Sequence, residues 1–255
     1  MKLFRKIRQN LLAEQRIRKY LLYATGEIIL VVLGILIALK LNSINTNKQN
    51  RQSEISYLSA ISENLSEDIK ELRRRLQKDS VHLDSYTLLV KAFTMDSIKL
   101  DEDTMRHIMH NSSIINYFNP QNTVFEEMKS SGKLDLIKSA ELRFGILEYY
   151  NSSNKVVTSQ EINNNVILRY RENSIDKKLD MNSLVEAKLP GQWNMEIDSL
   201  DLSFFDKNYL DPEVQEFARY ISLMKGAVMI NHNWKKILLK EAEEIKAQIE
   251  KYLSD

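Results

Sequence analysis

The chain has 255 residues, a formal net charge of +1 and no cysteine. The lack of thiols excludes disulfides, thiol nucleophiles, zinc–thiolate sites and iron–sulfur clusters ligated by cysteine. Only six glycines and three prolines are present, too few for the many tight turns of a β-sandwich or a β-barrel. The composition therefore favours a helical protein.

The first 20 residues form a strongly basic head. Residues 1–19 hold seven lysines and arginines and one acidic residue, Glu14. Short segments rich in Lys and Arg that flank a membrane span stay on the cytoplasmic side. We therefore expect residues 1–20 to be a cytoplasmic head.

An apolar segment follows directly at 21–41. From Leu21 to Leu39 its one charged residue is Glu27, and about 20 apolar residues suffice for a helix to cross a bilayer. Its end, at Leu39 and Lys40, lacks the small residues of a signal-peptide cleavage site. These features predict an uncleaved transmembrane helix in a bacterial inner membrane, with residues 42–255 in the periplasm.

One face of this predicted helix carries Glu27, Gly34 and Ala38. Gly34 and Ala38 have the small-x-x-x-small spacing that lets two membrane helices approach closely. An ionisable residue inside a span is costly unless it finds a partner. The face therefore predicts a contact, within the lipid bilayer, with another membrane protein or a second copy of this chain. The alternative is an acidic residue tolerated near the headgroups.

A long heptad-patterned helix is predicted at about 48–95, and it should continue out of the membrane helix with at most a short break at 42–47. Ten of the twelve positions in its two heptad series are apolar, which indicates a helix packed along a seam. The series are Ile55, Ser62, Ile69, Leu76, Leu83 and Val90, and Leu58, Leu65, Leu72, Asp79, Tyr86 and Phe93.

A matching helix is predicted at the end of the sequence. Asp211 is a suitable N-cap and Pro212 suits the first helical position. Apolar residues then recur every three or four positions, interrupted by Asn231 and Lys235. Two such helices at opposite ends of a domain favour an antiparallel pair. The expected fold is all-α: an N-terminal transmembrane helix followed by an elongated antiparallel helical bundle.

Shorter elements are predicted between the two long helices. Gly132 is expected to end one short helix and Ser139 to cap the next. The predicted helices are 101–111, 124–131 and 140–172, and the predicted connections are 113–122 and 173–210. The third of these helices has apolar residues at Leu142, Ile146, Leu147, Tyr150, Val156, Ile162, Val166 and Ile167.

Histidine spacing gives a weak metal signal. His107 and His110 are three residues apart, with Asp101 and Asp103 upstream, but two imidazoles need further ligands to hold an ion. The sequence contains no pattern typical of a serine hydrolase, zinc protease, P-loop or dinucleotide-binding enzyme. We therefore expect no enzymatic activity, no catalytic residue, no cofactor and no metal.

Arg73, Arg74 and Arg75 form a short basic run on the first long helix. The acidic neighbours available for pairing at helical spacing are Glu67, Asp68, Glu71 and Asp79. This pattern favours a salt-bridged surface over a nucleic-acid site.

Tyr149 and Tyr150 are the candidates for lining a ligand pocket between helices. If they do, the domain would sense a small molecule and signal through a membrane partner. The competing interpretation is that both rings pack in the core.

Three stretches of the sequence carry a resemblance to a known family. They are the basic head LFRKIRQNLL, the segment KYLLYATGEIILVVLGILIALKLN, and the block FNPQNTVFEEMKSSGKLDLIKSAELRFGILEYY at 118–150. They resemble a family of uncharacterised single-pass membrane proteins of Bacteroidota-type bacteria, known as a domain of unknown function. The resemblance implies a helical inner-membrane protein and implies no activity.

The leading functional hypothesis is an interaction or scaffold module. Its anchor and its periplasmic helical domain would bind partner proteins or further copies of the chain. The ligand sensor is the alternative.

Overall fold

The computed structural model shows an all-α protein, as predicted. All regular structure in the described residues is helical, and none of these residues forms a strand. The described residues are 17–95, 100–101, 103–105, 117–174 and 208–255. The chain divides into two compact units, Met1–Ser56 and Tyr57–Asp255.

Helix α1 is a single helix of 78 residues, Ile17–Thr94. The helix thus continues through 42–47 without the short break that the sequence allowed there. The segment from Asn42 to Asn47 contains neither glycine nor proline, so no residue there prevents the helix from continuing. Asn, Ser and Thr are mediocre helix formers but cost only fractions of a kcal/mol each, up to about 0.7.

The apolar part of α1 belongs to the first unit. Its large apolar side chains from Leu21 to Leu41 are exposed. Within the described part of the chain, α1 is the helix long and apolar enough to cross a membrane, and no residue of its apolar window is buried. Exposed apolar surface of this extent is compatible with a membrane anchor.

Three shorter helical elements follow α1 in the second unit. Helix α2 spans Thr123–Ser130, a 3-10 helix spans Lys133–Leu136, and helix α3 spans Ala140–Ser174. Gly132 has a φ of 68°, the left-handed conformation expected of a glycine just past a helix end. The Ser139 hydroxyl accepts a backbone N–H of the first turn of α3 at 3.2 Å. Both predicted boundaries are confirmed.

Two predicted segments fall mostly outside the described residues. Of the predicted helix 101–111, residues 101 and 103–105 are described, and 103–105 are helical. Of the predicted connection 173–210, residues 173–174 belong to α3 and residues 209–210 form a turn.

Helix α4 spans Pro212–Ser254 and starts as predicted. The Asp211 carboxylate accepts the backbone N–H of Glu213 at 2.8 Å, and Pro212 occupies the first turn. This N-cap satisfies one of the free N–H groups at the helix start. It also places a negative charge at the positive end of the helix dipole.

Helices α1 and α4 run antiparallel within the second unit. Arg73 of α1 donates to Glu243 of α4 at 2.7 Å, and Lys235 of α4 donates to Asp79 of α1 at 2.9 Å. A later residue on α1 thus meets an earlier residue on α4. The predicted antiparallel pairing is confirmed.

The buried stripe of α1 differs in part from the predicted seam. The Leu58 series is buried throughout, as its heptad spacing predicts, whereas Ile55 of the other series is 41% exposed. A helix that packs on several neighbours buries a broader stripe than a two-helix seam does. The second buried row of α1 consists of Ile61, Asp68, His82 and Leu89.

The second unit has two separate hydrophobic cores. The larger one, here the large core, draws on all four helices and is made of Leu58, Ile61, Leu65, Ile69, Leu72, Phe118, Phe125, Met128, Ile137, Leu142, Ile146, Tyr149, Tyr150, Val156, Leu238, Ala242, Ile245 and Ile249. The other, here the small core, is made of Tyr86, Leu89, Phe93, Met105, Val214, Phe217, Ala218, Tyr220, Ile221, Met224 and Ala227.

The second half of α3 departs from its apolar pattern. Ile162 and Val166 belong to the apolar residues expected to supply the packing faces of this helix, but they are 59% and 48% exposed. Among the side chains described in that half, the buried ones are polar: Gln160 and Asn164. The spacing of apolar residues gave the wrong buried face for this part of the helix, because it does not take account of buried polar side chains such as Gln160 that have hydrogen-bond partners.

Candidate functional site

The predicted membrane contact face lies on the exposed part of α1. Glu27, Gly34 and Ala38 are all exposed. No neighbouring heavy atom lies within 4 Å of the position that a Cβ on Gly34 would occupy. Space of this kind lets the backbone of a second helix come close. The contact itself stays a prediction.

Tyr149 and Tyr150 lie side by side in the large core. Their exposed fractions are 1% and 2%. The Tyr150 ring stacks on Phe125 with centroids 4.2 Å apart, and the Tyr149 hydroxyl donates to the Asp68 carboxylate at 2.7 Å. Burial is the main cause that raises the pKa of both phenols. Both rings therefore have structural contacts, and a ligand pocket at this place stays a prediction.

Asp68 is a carboxylate inside the large core, with an exposed fraction of 1%. It accepts two hydrogen bonds, from the Tyr149 hydroxyl and from the backbone N–H of Gln121 at 2.9 Å. Burial raises the pKa of Asp68, and these two donors oppose the rise. Its donors thus compensate only part of the desolvation cost of a buried charge.

Asp68 and Gln160 hold the connection before α2 against the bundle. The Gln160 side-chain amide accepts from the backbone N–H of Phe118 at 2.9 Å and donates to the Phe118 carbonyl at 3.0 Å. The Tyr150 hydroxyl donates to the Gln121 carbonyl at 3.2 Å. The connection carries buried backbone groups that need partners, and these side chains supply them.

The candidate metal ligands His107 and His110 lie outside the described residues. Among the residues that are described, no group of three or more His, Asp or Glu side chains is placed to hold a metal ion. The described residues thus supply no further metal ligand for the site suggested by the spacing of His107 and His110.

A polar layer joins α1 to α4 between the two cores. It consists of Asp79 and His82 on α1 and His232 and Lys235 on α4. The Lys235 ammonium donates to both carboxylate oxygens of Asp79, at 2.9 and 3.2 Å, and each of these two residues is 1% exposed. The result is a fully buried ion pair.

Both histidines of the polar layer are close to this pair. His232 Nδ1 is 3.8 Å from the nearer Asp79 oxygen and has no hydrogen-bond partner. His82 is 6% exposed, and its ring meets the edge of Tyr86 with centroids 6.5 Å apart. Burial lowers the pKa of both imidazoles, and the Asp79 charge opposes this.

The sequence carried a signal for this layer that periodicity alone does not interpret. Asp79 is the acidic interruption of its heptad series, and Lys235 is a basic interruption in the last helix. Opposite charges at interruptions of two antiparallel seams are candidates for pairing, because an unpaired buried charge is costly. The alignment of the two helices, which the pattern does not contain, decides whether they meet.

The basic run on α1 is salt-bridged, as predicted, but to fewer acids. Arg74 and Arg75 both donate to Glu71, at 2.7 and 2.6 Å. The bond from Arg74 is the main cause that lowers the pKa of Glu71 to about 2. Two of the other predicted acids, Asp68 and Asp79, are instead buried.

An open groove of about 400 Å³ lies on the outer side of α3. Asn163 and Ser159 on its wall donate to the Asn231 side chain of α4, at 3.0 and 3.2 Å. Its lining is Asn154, Lys155, Thr158, Ser159, Ile162 and Asn163. The groove does not include the predicted pocket residues Tyr149 and Tyr150.

Comparison with protein families identifies a match over residues 27–204, to a family of unknown function, DUF6090. The chain belongs to the DUF6090 family. The DUF6090 match starts at Glu27, so it includes most of the exposed apolar segment of α1. Comparisons with curated proteins and with solved structures found no significant match.

Proposed function

We propose that this DUF6090 protein is a single-pass inner-membrane scaffold. In this proposal α1 anchors the chain, and the periplasmic helical domain binds partner proteins or further copies. One observation carries the proposal: Glu27, Gly34 and Ala38 share an exposed face of an apolar helix that has open space beside its glycine.

The anchor role follows from the exposed apolar surface of α1. Water would have to solvate every large apolar side chain from Leu21 to Leu41, at a cost of about 25 cal/mol per Å² of apolar area. A bilayer removes this cost and matches the length of the segment. The basic head at 1–19 then favours a cytoplasmic N-terminus.

A helix partner in the membrane follows from Glu27. A charged residue at the centre of a span costs about 2.5–3.5 kcal/mol on insertion scales, and Glu27, about two turns into the segment, carries a part of that cost. A hydrogen bond or an ion pair with a second helix offsets part of this cost. Gly34 and Ala38 on the same face allow the close approach that such a bond requires.

The orientation can be tested by protease digestion of spheroplasts that contain the full chain. We expect the domain to be digested from outside, leaving a short N-terminal fragment that runs through the anchor. A domain that is protected in intact spheroplasts and digested after lysis would contradict the proposed topology.

The contact face can be tested by crosslinking, because the chain has no native cysteine. We expect Ala38→Cys to form a disulfide-linked dimer, or a mixed disulfide with one partner, in native membranes under mild oxidation. Leu36→Cys is the matched control, since about 100° per residue puts it near the opposite side of the helix. Equal crosslinking at both positions would contradict a specific face.

The role of Glu27 is separable from that of the small residues. Glu27→Leu should weaken the crosslink at position 38, whereas Ile29→Leu, away from the face, should leave it unchanged. Affinity purification of the same variants from membranes, followed by mass spectrometry, distinguishes a second copy from another protein. An unchanged crosslink and an unchanged partner set in Glu27→Leu would contradict the role of this carboxyl.

A further inference from the structure

The polar layer lies where the two cores meet along both long helices. On α1 the large core reaches Leu72 and the small core starts at Tyr86; on α4 the small core ends at Ala227 and the large core resumes at Leu238. The polar layer falls between these limits on each helix. Its opening would therefore separate the small core from the large one.

The charges of the polar layer balance only while both imidazoles are neutral. Asp79 and Lys235 cancel each other through two N–O contacts. A proton added to His82 or His232 leaves one uncompensated positive charge in a mostly buried place. Such a charge is costly to bury, and the Asp79 carboxylate is already paired with Lys235.

The surrounding charges add to this effect. Lys78 of α1 opposes a charge on His82, and Lys236 of α4 opposes one on His232; each lowers the pKa of its histidine. Arg75 of α1 lowers the pKa of Lys235, and Glu71 of α1 raises it. The main charges that act on these three groups thus lie on α1 and α4.

Acidification changes the stability of the large core in the opposite direction. Burial raises the pKa of Asp68, so the folded state binds this proton more readily than the unfolded chain does. Asp68 therefore adds stability as the pH falls through its folded pKa. Burial lowers the pKa of His82 and His232. The folding stability associated with these neutral imidazoles is therefore present above about pH 6.5 and is lost as the pH falls below it.

We propose that the layer of Asp79, Lys235, His82 and His232 is a proton-sensitive switch, which releases the small core on mild acidification while the large core stays folded. The released parts are the end of α1 and the start of α4. The inference does not depend on the scaffold proposal, because it concerns the helical domain alone.

Hydrogen exchange of the full chain in lipid nanodiscs tests this proposal. Rates at pH 7.5 and pH 5.5 are corrected for the intrinsic pH dependence of exchange. We expect protection at 86–94 and 214–227 to fall about tenfold or more at pH 5.5, since each histidine contributes up to about tenfold per pH unit below 6.5. Protection at 58–72 and 238–249 should not fall.

His82→Gln with His232→Gln should remove this pH response, and His107→Gln with His110→Gln is the matched control that should keep it. No loss of protection in the wild type, or an equal loss in the first double variant, would overturn the proposal. So would disappearance of the response in the control variant.

Histidine titration in the wild-type chain keeps the test decisive if the double variant does not fold. By NMR, we expect the resonances of His82 and His232 to titrate below pH 6.5. Titration of both at or above 6.5 would overturn the proposal.

Discussion

The two cores of the second unit are built from the same pair of helices but are supported differently. The large core adds α2, α3 and the connection before α2, and its polar groups Asp68 and Gln160 have hydrogen-bond partners. In the described residues, the small core rests mainly on α1 and α4, with an edge-to-face contact between Phe93 and Phe217. A core with fewer neighbouring elements opens more easily, so we expect the small core to unfold locally before the large one.

The largest expected effect comes from breaking the buried ion pair between the cores. Lys235→Met leaves Asp79 buried without its ammonium partner and should destabilise the domain by about 3–5 kcal/mol. Denaturant unfolding of the full chain in nanodiscs measures this. Hydrogen exchange should assign the loss first to the small core.

The control for this variant is the double change Asp79→Leu with Lys235→Leu. Replacing both charges by apolar groups is often neutral or stabilising, so most of the loss should be recovered. A double variant as unstable as Lys235→Met would show that shape, not charge, sets the cost.

A smaller effect is expected inside the large core from Tyr149→Phe. This change removes one of the two donors to Asp68, and a hydrogen bond to a charged group contributes about 1.5–3 kcal/mol. Because burial already raises the pKa of Asp68, the loss should shrink as the pH falls and the carboxyl takes up a proton. Unfolding curves from pH 7.5 down to pH 4 measure the trend.

Asp68→Asn supplies the matched background for this variant. Without a charge at position 68, Tyr149→Phe should cost less at pH 7.5 and should show little dependence on pH. An equal, pH-dependent cost in both backgrounds would contradict the role assigned to Asp68.

A still smaller effect, confined to the small core, is expected from Asp211→Ala. Loss of an N-cap typically costs about 1 kcal/mol, and, among the described residues, the start of α4 packs into the small core. Hydrogen exchange should show faster exchange at 212–220 with no change at 238–249. Asp211→Ser, which keeps a capping oxygen, should behave like the wild type, and equal loss in both variants would argue against capping.

The smallest effect is expected from Arg73→Ala. Its ion pair with Glu243 ties α1 to α4 beside the large core, but the two side chains are 64% and 43% exposed. Exposed pairs contribute about 0–1 kcal/mol and are screened by salt. The free energy of unfolding should differ slightly between low and high salt in the wild type and should not differ in the variant. A loss of stability in Arg73→Ala that exceeds about 1 kcal/mol and does not depend on salt would contradict an exposed ion pair.

Local sequence signals predicted most of the fold. Gly132, Ser139 and Asp211 mark helix ends through backbone conformation and capping, which depend on nearby residues only. The wrong predictions concern inward polar residues: α3 turns Gln160 and Asn164 inwards and leaves Ile162 exposed. Periodicity could not predict this, because the partner of Gln160 is the backbone of a distant connection.

The sequence by itself determined the exposed apolar segment, its face of Glu27, Gly34 and Ala38, and the all-α class, since all of these follow from composition and helical spacing. Only the tertiary structure decided the pairing of Asp79 with Lys235, and the burial of Asp68 under Tyr149. The physical reason is that a charge inside a seam is stable only beside a specific partner. That partner is chosen by how α1, α3 and α4 align, which no local pattern encodes.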